Sequence, residues 1–578
     1  MQRKFSLFGK YVRTKGRGKM TLRTPALSNQ LIILPELLAE RVESGPHAAR
    51  FFLYLAGELD LRMYRRTGLG TPPYNRVTLL AVVFYAMFSG HFESRNIVQF
   101  AKDSIGAQWI LNGMKMPAFK TVWQTTQDLL EELDSVFTQI LSLCEKQDLI
   151  GGNRVYTDGV KVQANASKHK AMSYEYLGKK LTGKMEDLKE LFAALREMVD
   201  EWDFAEEDFC GIALEDAADV HEGLRKIHQD ALGKRQEQVF NRDYAEAADD
   251  NNRIEEIKAG LQILGNIEPG KRDDAVDILN NIGFINKKVT RMAEAKAELE
   301  GRWKAENGDK KIPKEKQINF TDPDSSIMTT KHHGVQQCYN NFAIIDDKAN
   351  VILGCYTSNN PVDQISLRPC IERTEQLYGS LEGFQFGADA GFFSASNISY
   401  AKSKGIDYYA SYPEADWAYA KDRFKYNESD DTYTCPGGSA LSAPKESRGG
   451  KVREYRNDEA CLSCDLRSDC TKAKDGIRKI NRDMVDDKVR EEGREKANSA
   501  EGREILRLRK SIPEPVWGNI KTQDDFIQMQ YRGIENAGYE FELHCVVQNI
   551  RKLLKVYFKS KSYQDVVHNK CGECCKLA

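Results

Sequence analysis

The sequence predicts an α/β fold in which a mixed sheet is combined with a helical N-terminal region, a long helical insertion and a small cysteine-containing module. Five short segments rich in β-branched and aromatic residues carry the strand signal, and helical stretches separate the later ones. Two longer stretches, one before and one after the first strand segment, instead place apolar residues at three- and four-residue spacing. Four cysteines cluster between the last strand segment and the C-terminal helices.

Length and composition limit the class of protein. A chain of 578 residues is too long for one compact core, so we expect several domains. Hydrophobic residues make up 41%, which is enough for real cores, and the charged share of 29% favours a soluble protein. The longest apolar run, residues 77–88, is too short to cross a bilayer and predicts a buried helix. No apolar stretch with a small-residue cleavage site follows the N-terminus, so we expect no secretion signal, no membrane partner and a cytoplasmic location.

Residues 1–35 form a basic arm that contains no acid. Its eight basic residues are Arg3, Lys4, Lys10, Arg13, Lys15, Arg17, Lys19 and Arg23. Such an arm can neutralise nucleic-acid phosphates and release their counterions. A solvated leader and a transit peptide are the alternatives. The formal net charge of -2 neither demands nor forbids a nucleic-acid partner.

Residues 36–150 are predicted to form a helical N-terminal domain. Within it, residues 96–130 include Gly106, Gly113 and Pro117, which indicate several short helices joined by turns. Helix-turn-helix recognition of DNA is one interpretation of this domain, and plain helical packing or dimerisation is the other.

The strand segments lie at residues 154–162, 342–345, 351–356, 384–389 and 406–410, and a helix is predicted at 394–404. Between the first two segments, residues 171–315 are predicted to form a helical insertion that packs on itself. Its apolar stripe comprises Met185, Leu188, Leu191, Leu195, Met198 and Trp202. Strands followed by strand-helix-strand units indicate a mixed sheet.

Residues 425–475 are predicted to form a small module whose cysteines are Cys435, Cys461, Cys464 and Cys470. Thiolates at C-x-x-C spacing can chelate one ion, and four sulfurs complete a structural zinc site. A redox pair is the alternative, although no thioredoxin-like strand-helix pattern surrounds it. An odd total of 13 cysteines argues against a disulfide framework. The tail 561–578 adds His568, Cys571, Cys574 and Cys575, for which we expect a mobile segment rather than a second metal site.

Three acids are candidates for metal chemistry on phosphodiesters. Asp158 and Asp389 are expected at the ends of strands, because each is followed by a glycine within two residues that lets the chain turn. Glu514 lies further along, between two prolines. Carboxylate oxygens are the ligands that hold paired Mg²⁺ ions in enzymes that break phosphodiesters. An ordinary Asp-Gly turn and a surface glutamate are the alternatives for these positions taken singly.

The segments around these acids resemble known motifs. The stretch TDGVKVQANASKHKAMSY is similar to the first catalytic motif of the DDE transposases of bacterial insertion sequences, ADAGFFS to the second and RKSIPEPVWGNIK to the third. Two further segments resemble the parts that flank those motifs, namely NFTDPDSSIMTTKHHGVQQCYNNFAIID and YRGIENAGYEFELHCVVQNIRKLL, which carries Arg532, Gly533 and Asn549. The motifs follow the family's order and cover most of the chain from Tyr74 onward.

This resemblance implies a ribonuclease-H-like mixed sheet over residues 151–560, interrupted by the helical insertion and the cysteine module. It makes Asp158, Asp389 and Glu514 ligands of two Mg²⁺ ions, which Mn²⁺ can replace. The implied activity is cleavage of the element's ends and their transfer to new DNA. The implied partners are double-stranded DNA, as terminal inverted repeats and target, and a second copy of the chain in a nucleoid-associated complex. Relatives with a cysteine cluster at this place favour structural zinc.

Basic residues near the motifs are expected to contact DNA. They are Lys161, Lys168, His169, Lys170, Arg509, Lys510 and Lys521. Lys521 lies seven residues after Glu514, so both share one face of a helix.

Two positions depart from the family's pattern. Arg507 stands where the wider family often has tyrosine, and Pro513 replaces the usual valine. Because proline disfavours helical geometry in the residue before it, we expect Glu514 at the start of a helix. A decayed or repurposed transposase that binds DNA without cutting it is the alternative function, and a scaffolding protein is a more distant one.

Overall fold

The computed structural model describes residues 42, 47–65, 74–200, 269–330, 334–412, 417–447 and 451–559. The basic arm, the middle of the helical insertion and the C-terminal tail lie outside the described residues, and so does Trp202. Among the described helices, none is both long enough and apolar enough to span a membrane.

The described part of the N-terminal domain is helical, as predicted. Its helices are α1 (Ala48–Glu58), α2 (Arg76–Phe88), α3 (Ser94–Asp103), α4 (Ile105–Leu111), α5 (Phe119–Leu130) and α6 (Leu133–Lys146). The apolar run at 77–88 falls within α2, and most of its side chains are buried, which confirms a core helix. Asn112 and Gly113 follow α4 with φ angles of 43° and 78°, so the predicted turn is confirmed as well.

Thirteen strands are described after this domain. They are β1 (Arg154–Gln163), β2 (Ala171–Ser173), β3 (Gln317–Asn319), β4 (Ser326–Thr330), β5 (Gly334–Asp346), β6 (Ile352–Ser358), β7 (Gln385–Ala388), β8 (Asp407–Ala410), β9 (Lys425–Asn427), β10 (Thr432–Thr434), β11 (Ala440–Ser447), β12 (Val452–Arg456) and β13 (Ile480–Asp483). The later helices are α7 (Tyr174–Asp200), α8 (Pro269–Asn307), α9 (Leu367–Leu377), α10 (Ala395–Ser403), α11 (Asp458–Leu462), α12 (Arg467–Cys470), α13 (Asp486–Asn498), α14 (Ala500–Leu508), α15 (Pro513–Gln523) and α16 (Ile534–Lys559).

The central sheet is mixed and six-stranded, with the order β4-β5-β1-β7-β8 and β6 also paired with β5. Strands β4, β5, β6 and β1 pair antiparallel, whereas β7 and β8 run parallel to β1. All five predicted strands are confirmed and belong to this one sheet, and the predicted helix at 394–404 corresponds to α10. The sequence analysis missed β4, which is a short strand at the sheet's edge.

The described ends of the helical insertion pack against each other. Helices α7 and α8 are in contact. Their shared core contains Leu177, Leu181, Met292 and Leu299. Of the predicted apolar stripe, Leu195 is buried, whereas the members closer to the sheet are only half-buried.

The cysteine-containing module is built on a second sheet of five antiparallel strands, in the order β13-β12-β11-β10-β9. Its core consists mainly of aromatic side chains, including Tyr433 and Tyr455, together with Ile480. Because Ile480 lies in β13, this sheet continues past residue 475, where the sequence analysis placed the end of the module.

Helix α16 anchors the C-terminal region to the central sheet. The Asn549 side chain accepts a hydrogen bond from the backbone N–H of Ile352 and donates one to its carbonyl, both at 2.8 Å. This pairing ties the middle of α16 to β6. The helix also packs against α6, so it joins the N-terminal domain to the sheet.

Candidate active site

Asp158 lies in the middle of β1, which continues to Gln163. The prediction that Asp158 stands at the end of its strand is therefore wrong, and Gly159 does not turn the chain. Glycine is required at 159 for another reason. A Cβ atom there would lie 2.6 Å from the Phe342 ring of the neighbouring strand β5. The glycine thus makes room for a cross-strand aromatic ring beside the carboxylate.

Asp389 directly follows β7, as predicted. Strands β1 and β7 run parallel, and Tyr156 is paired with Gly387. Asp389 keeps extended backbone angles of φ -74° and ψ 166°, so this register continues two residues further and sets Asp389 beside Asp158. Adjacent strands lie about 5 Å apart, and residues two positions along a strand share a face. The two carboxylates therefore occupy neighbouring positions on one face of the sheet.

Helix α14 packs on this face of the sheet, and the residue before α15 lies next to it. Ile505 of α14 forms a buried cluster with Tyr156 and Tyr409, and Ile512 packs against it. Since Tyr156 precedes Asp158 by two residues, the break between α14 and α15 lies close to the two aspartates.

Glu514 lies in the first turn of α15, which confirms the predicted helix start. The buried side of α15 consists of Pro513, Val516, Trp517 and Ile520, and the helix contacts β1. Glu514 itself is exposed. The third acid is thus carried on the helix that packs beside the strand of Asp158.

Each aspartate accepts a hydrogen bond from the next backbone N–H. The distance is 2.9 Å from Gly159 N to Asp158 Oδ1 and 2.5 Å from Ala390 N to Asp389 Oδ1. Asp389 also pairs with Arg509, whose Nη1 lies 3.3 Å from Asp389 Oδ2. Within the described ranges, no group of three or more His, Cys, Asp or Glu side chains is arranged to hold a metal ion. The three acids are therefore not brought together around one point in this structure.

The predicted DNA-contacting residues near Asp158 fall into two groups. Lys161 lies three residues along β1 from Asp158, so its side chain points to the opposite face of the sheet. Residues 168–170 form an exposed turn after β1, and the Lys170 ammonium lies 5.4 Å from the centre of the Phe320 ring. Sequence proximity to Asp158 therefore does not place Lys161 on the carboxylate face.

The basic residues near Glu514 also differ from one another. Lys510 and Lys521 are exposed, and Lys521 lies in α15 seven residues after Glu514. Arg509 is turned inward, with 13% of its side chain exposed, because it pairs with Asp389.

The four module cysteines line one small cavity of about 40 Å³. The Sγ atoms of Cys435 and Cys464 lie 3.6 and 3.9 Å from the position of a Cβ on Gly437, so both reach the same point. Burial raises the pKa of Cys470, Arg478 opposes the rise, and the other three thiols add to it. The four thiols are therefore close together, as predicted. Among the described residues, however, neither they nor any other group is arranged to hold a metal ion.

Two further acids have roles that the sequence analysis did not assign. Asp322 is fully buried and accepts hydrogen bonds from the Tyr339 hydroxyl at 2.8 Å and from Gly533 N at 3.2 Å. Asp324 accepts one from Ile534 N at 2.8 Å. These acids bind the first N–H groups of α16, so the NFTDPDSS segment fixes a helix start. Their partners lie far apart in the chain, so no local sequence signal predicts this contact.

Residues 434–554 match the family model of the transposase DDE domain. The matched segment contains the four module cysteines, α14, Glu514 and most of α16, and it begins after both aspartates. No curated protein and no solved structure matches the chain. The match supports a DDE-type transposase, in agreement with the motifs of the sequence. Members of this family act in transposition on DNA and generally use divalent metal ions.

Proposed function

We propose that this protein binds the ends of an insertion sequence and catalyses metal-dependent DNA cleavage and strand transfer. The observation that carries the proposal is the alignment of Asp158 and Asp389 on adjacent parallel strands, one of which contacts the helix that bears Glu514. The match to the transposase DDE domain supports it independently through the segment around Glu514.

The catalytic domain is proposed to be ribonuclease-H-like and to extend over residues 151–560. Its support is the order of the central sheet, in which an antiparallel part, β6-β5-β1, is joined to the parallel strands β7 and β8. The insertions at 171–315 and 425–475 leave this sheet through loops. The helical N-terminal domain and the basic arm would then bind the terminal inverted repeats, and a dimer would bring two ends together.

The residues present fit divalent metal ions. Asp158 and Asp389 offer hard oxygen ligands on neighbouring strands, which suits Mg²⁺ or Mn²⁺. Glu514 is exposed at a helix start, and the proposal requires its side chain to turn toward the pair. Ions held there supply activation of an attacking oxygen and stabilisation of a leaving one. The chain's own part is to hold these ions, with Lys521 on the Glu514 flank to bind a DNA phosphate.

The cysteine module is proposed to hold one structural zinc ion. Its support is the common cavity of the four thiols and the hydrogen bond from Ser439 N to Cys435 Sγ at 3.3 Å, which orients this sulfur. Metal analysis of the purified chain tests this part, and absence of zinc with intact folding contradicts it.

A non-catalytic DNA-binding protein is the second candidate function. The pairing of Asp389 with Arg509 favours it, because this carboxylate already has a cation. Retention of all three acids favours the enzyme, since binding of anionic DNA alone gains nothing from carboxylates at the same face.

The proposal is tested by cleavage and strand transfer on labelled DNA from the inverted repeats that flank the coding sequence, with Mg²⁺ or Mn²⁺. Asp158→Asn, Asp389→Asn and Glu514→Gln are each expected to lower the rate by at least about 100-fold and to leave DNA binding intact. Glu504→Gln, an exposed acid on α14, is the matched control and should cut like wild type. If the wild type binds the ends and cuts with neither metal, the non-catalytic function replaces this one.

A further inference from the structure

Arg509 differs from the basic residues on either side of it. Arg507 and Lys510 are exposed, whereas 13% of the Arg509 side chain is accessible. It stands at the C-terminal end of α14, and its backbone N–H bonds to the Leu506 carbonyl. Because Ile505 fixes α14 against the sheet, the break after this helix directs Arg509 inward, toward the two aspartates.

The Arg509 guanidinium lies where a cation is most favourable. Asp158 and Asp389 are neighbours on one sheet face, and two carboxylates at such spacing repel each other. Arg509 Nη1 lies 3.3 Å from Asp389 Oδ2, and the other carboxylate oxygen accepts the Ala390 N–H. Both oxygens of Asp389 therefore already have protein partners. A divalent cation at this carboxylate competes with the guanidinium, because two cations close to one carboxylate repel each other.

We propose that Arg509 is a positioning residue that holds the Asp389 carboxylate until a divalent cation displaces it. The inference rests on the proposed function, because it takes Asp389 as a metal ligand. It also names a second partner for Arg509. The displaced guanidinium lies on the connection that leads to Glu514, at the face where DNA would bind, so a phosphate of duplex DNA takes it up.

This exchange couples metal binding to DNA binding. A phosphate that draws Arg509 away frees Asp389 for the metal, so duplex DNA raises the affinity for the ion. By linkage, the ion raises the affinity for DNA by the same factor. A site built in this way loads its metal chiefly when substrate is present.

The test measures Mn²⁺ binding to the full chain from the loss of the free-ion signal in electron paramagnetic resonance. The variants are Arg509→Gln and the matched control Arg507→Gln, which removes an exposed charge from the same helix. Without DNA, Arg509→Gln is expected to bind Mn²⁺ about two- to fivefold more tightly than the control, because an ion pair of partly exposed groups is worth roughly that factor. Arg509→Lys keeps the charge and is expected to bind like wild type.

A random-sequence DNA duplex is then added to each protein, since phosphate contacts do not depend on sequence. Wild type and Arg507→Gln should gain Mn²⁺ affinity, whereas Arg509→Gln should change little. Equal affinities of Arg509→Gln and Arg507→Gln without DNA overturn the inference, provided that thermal unfolding shows both proteins to be folded. If no variant binds Mn²⁺ with or without DNA, while Asp389→Asn behaves like wild type, the proposed function fails together with the inference.

Discussion

Two sets of carboxylates in this protein differ in their surroundings. Asp158 and Asp389 are half-buried on the sheet face and Glu514 is exposed, so solvent reaches all three. Asp322 and Asp524, by contrast, are almost completely buried, and protein donors surround them. Burying a carboxylate is unfavourable unless hydrogen bonds and opposite charges compensate. The buried acids are therefore committed to the fold, whereas the accessible ones are those that the proposed function assigns to metal ions.

The largest expected effect on stability is at Asp524. Its carboxylate binds Arg551 Nη2 at 2.5 Å, Gln548 Nε2 at 3.0 Å and His544 Nδ1 at 3.3 Å. Asp524→Ala leaves a buried guanidinium without its charge partner, so it should lower the free energy of unfolding by about 3–5 kcal/mol. Chemical denaturation measures this change. Asp525→Asn is the control, because Asp525 is exposed and asparagine tolerates its φ of 51°. Equal stability of the two variants would contradict the structural role of Asp524.

Gly159→Ala tests the packing beside the accessible carboxylate Asp158. The added Cβ would lie 2.6 Å from the Phe342 ring, so β1 or the ring has to shift beside Asp158. We expect a loss of about 1–3 kcal/mol of stability and reduced cleavage. Gly178→Ala is the matched control, because no atom lies within 4 Å of its Cβ position in α7. That substitution should stabilise the protein by up to about 1 kcal/mol. If both substitutions change the free energy of unfolding in the same direction, this account of Gly159 is wrong.

A smaller effect is expected in the dependence of the free energy of unfolding on pH. Burial raises the pKa of Glu542 from its ordinary 4.5 to about 7, although Arg373, at 2.8 Å, opposes the rise. The folded state therefore binds more protons than the unfolded state between these values. The stabilisation from this proton is complete below pH 4.5 and is lost as the pH rises through about 7.

Glu542→Gln is expected to remove part of this pH dependence. The contribution of Glu542 to the slope of the free energy of unfolding against pH is at most about 1.4 kcal/mol per pH unit. Burial also raises the pKa of Glu540 to about 7, so some slope should persist in the variant. Denaturation at a series of pH values from 5 to 8 measures it. A variant slope identical to that of wild type would show that Glu542 is charged in the folded protein.

The strands of the central sheet could be predicted from the sequence, because β-branched and aromatic residues mark them locally. The start of α15 could be predicted as well, since Pro513 and Pro515 restrict the backbone around Glu514. The position of Asp158 within β1 could not. The glycine that follows it is required by Phe342 on another strand, and a glycine has the same appearance in a sequence whether it turns the chain or makes room for a ring.

The orientation of the basic side chains could not be predicted from the sequence either. Arg509 and Lys510 are neighbours, yet the break between α14 and α15 turns the first toward Asp389 and leaves the second exposed. Lys161 was expected beside Asp158, but strand alternation sends it to the other face. The family motifs identified the acids, whereas only the packing of α14 on the sheet shows which cation reaches them.

The most direct test compares Asp389→Asn with Asp322→Asn in two assays, metal-dependent cleavage of element-end DNA and thermal unfolding. Asp389→Asn should abolish cleavage and change the free energy of unfolding by no more than about 0.5 kcal/mol. Asp322→Asn should unfold at a lower temperature, because a buried NH2 donor replaces the carboxylate oxygen Oδ2, which accepts from the Tyr339 hydroxyl at 3.0 Å, and it should cleave at the wild-type rate below that temperature. The account is contradicted if Asp389→Asn cuts DNA normally, or if it destabilises the protein as much as Asp322→Asn does.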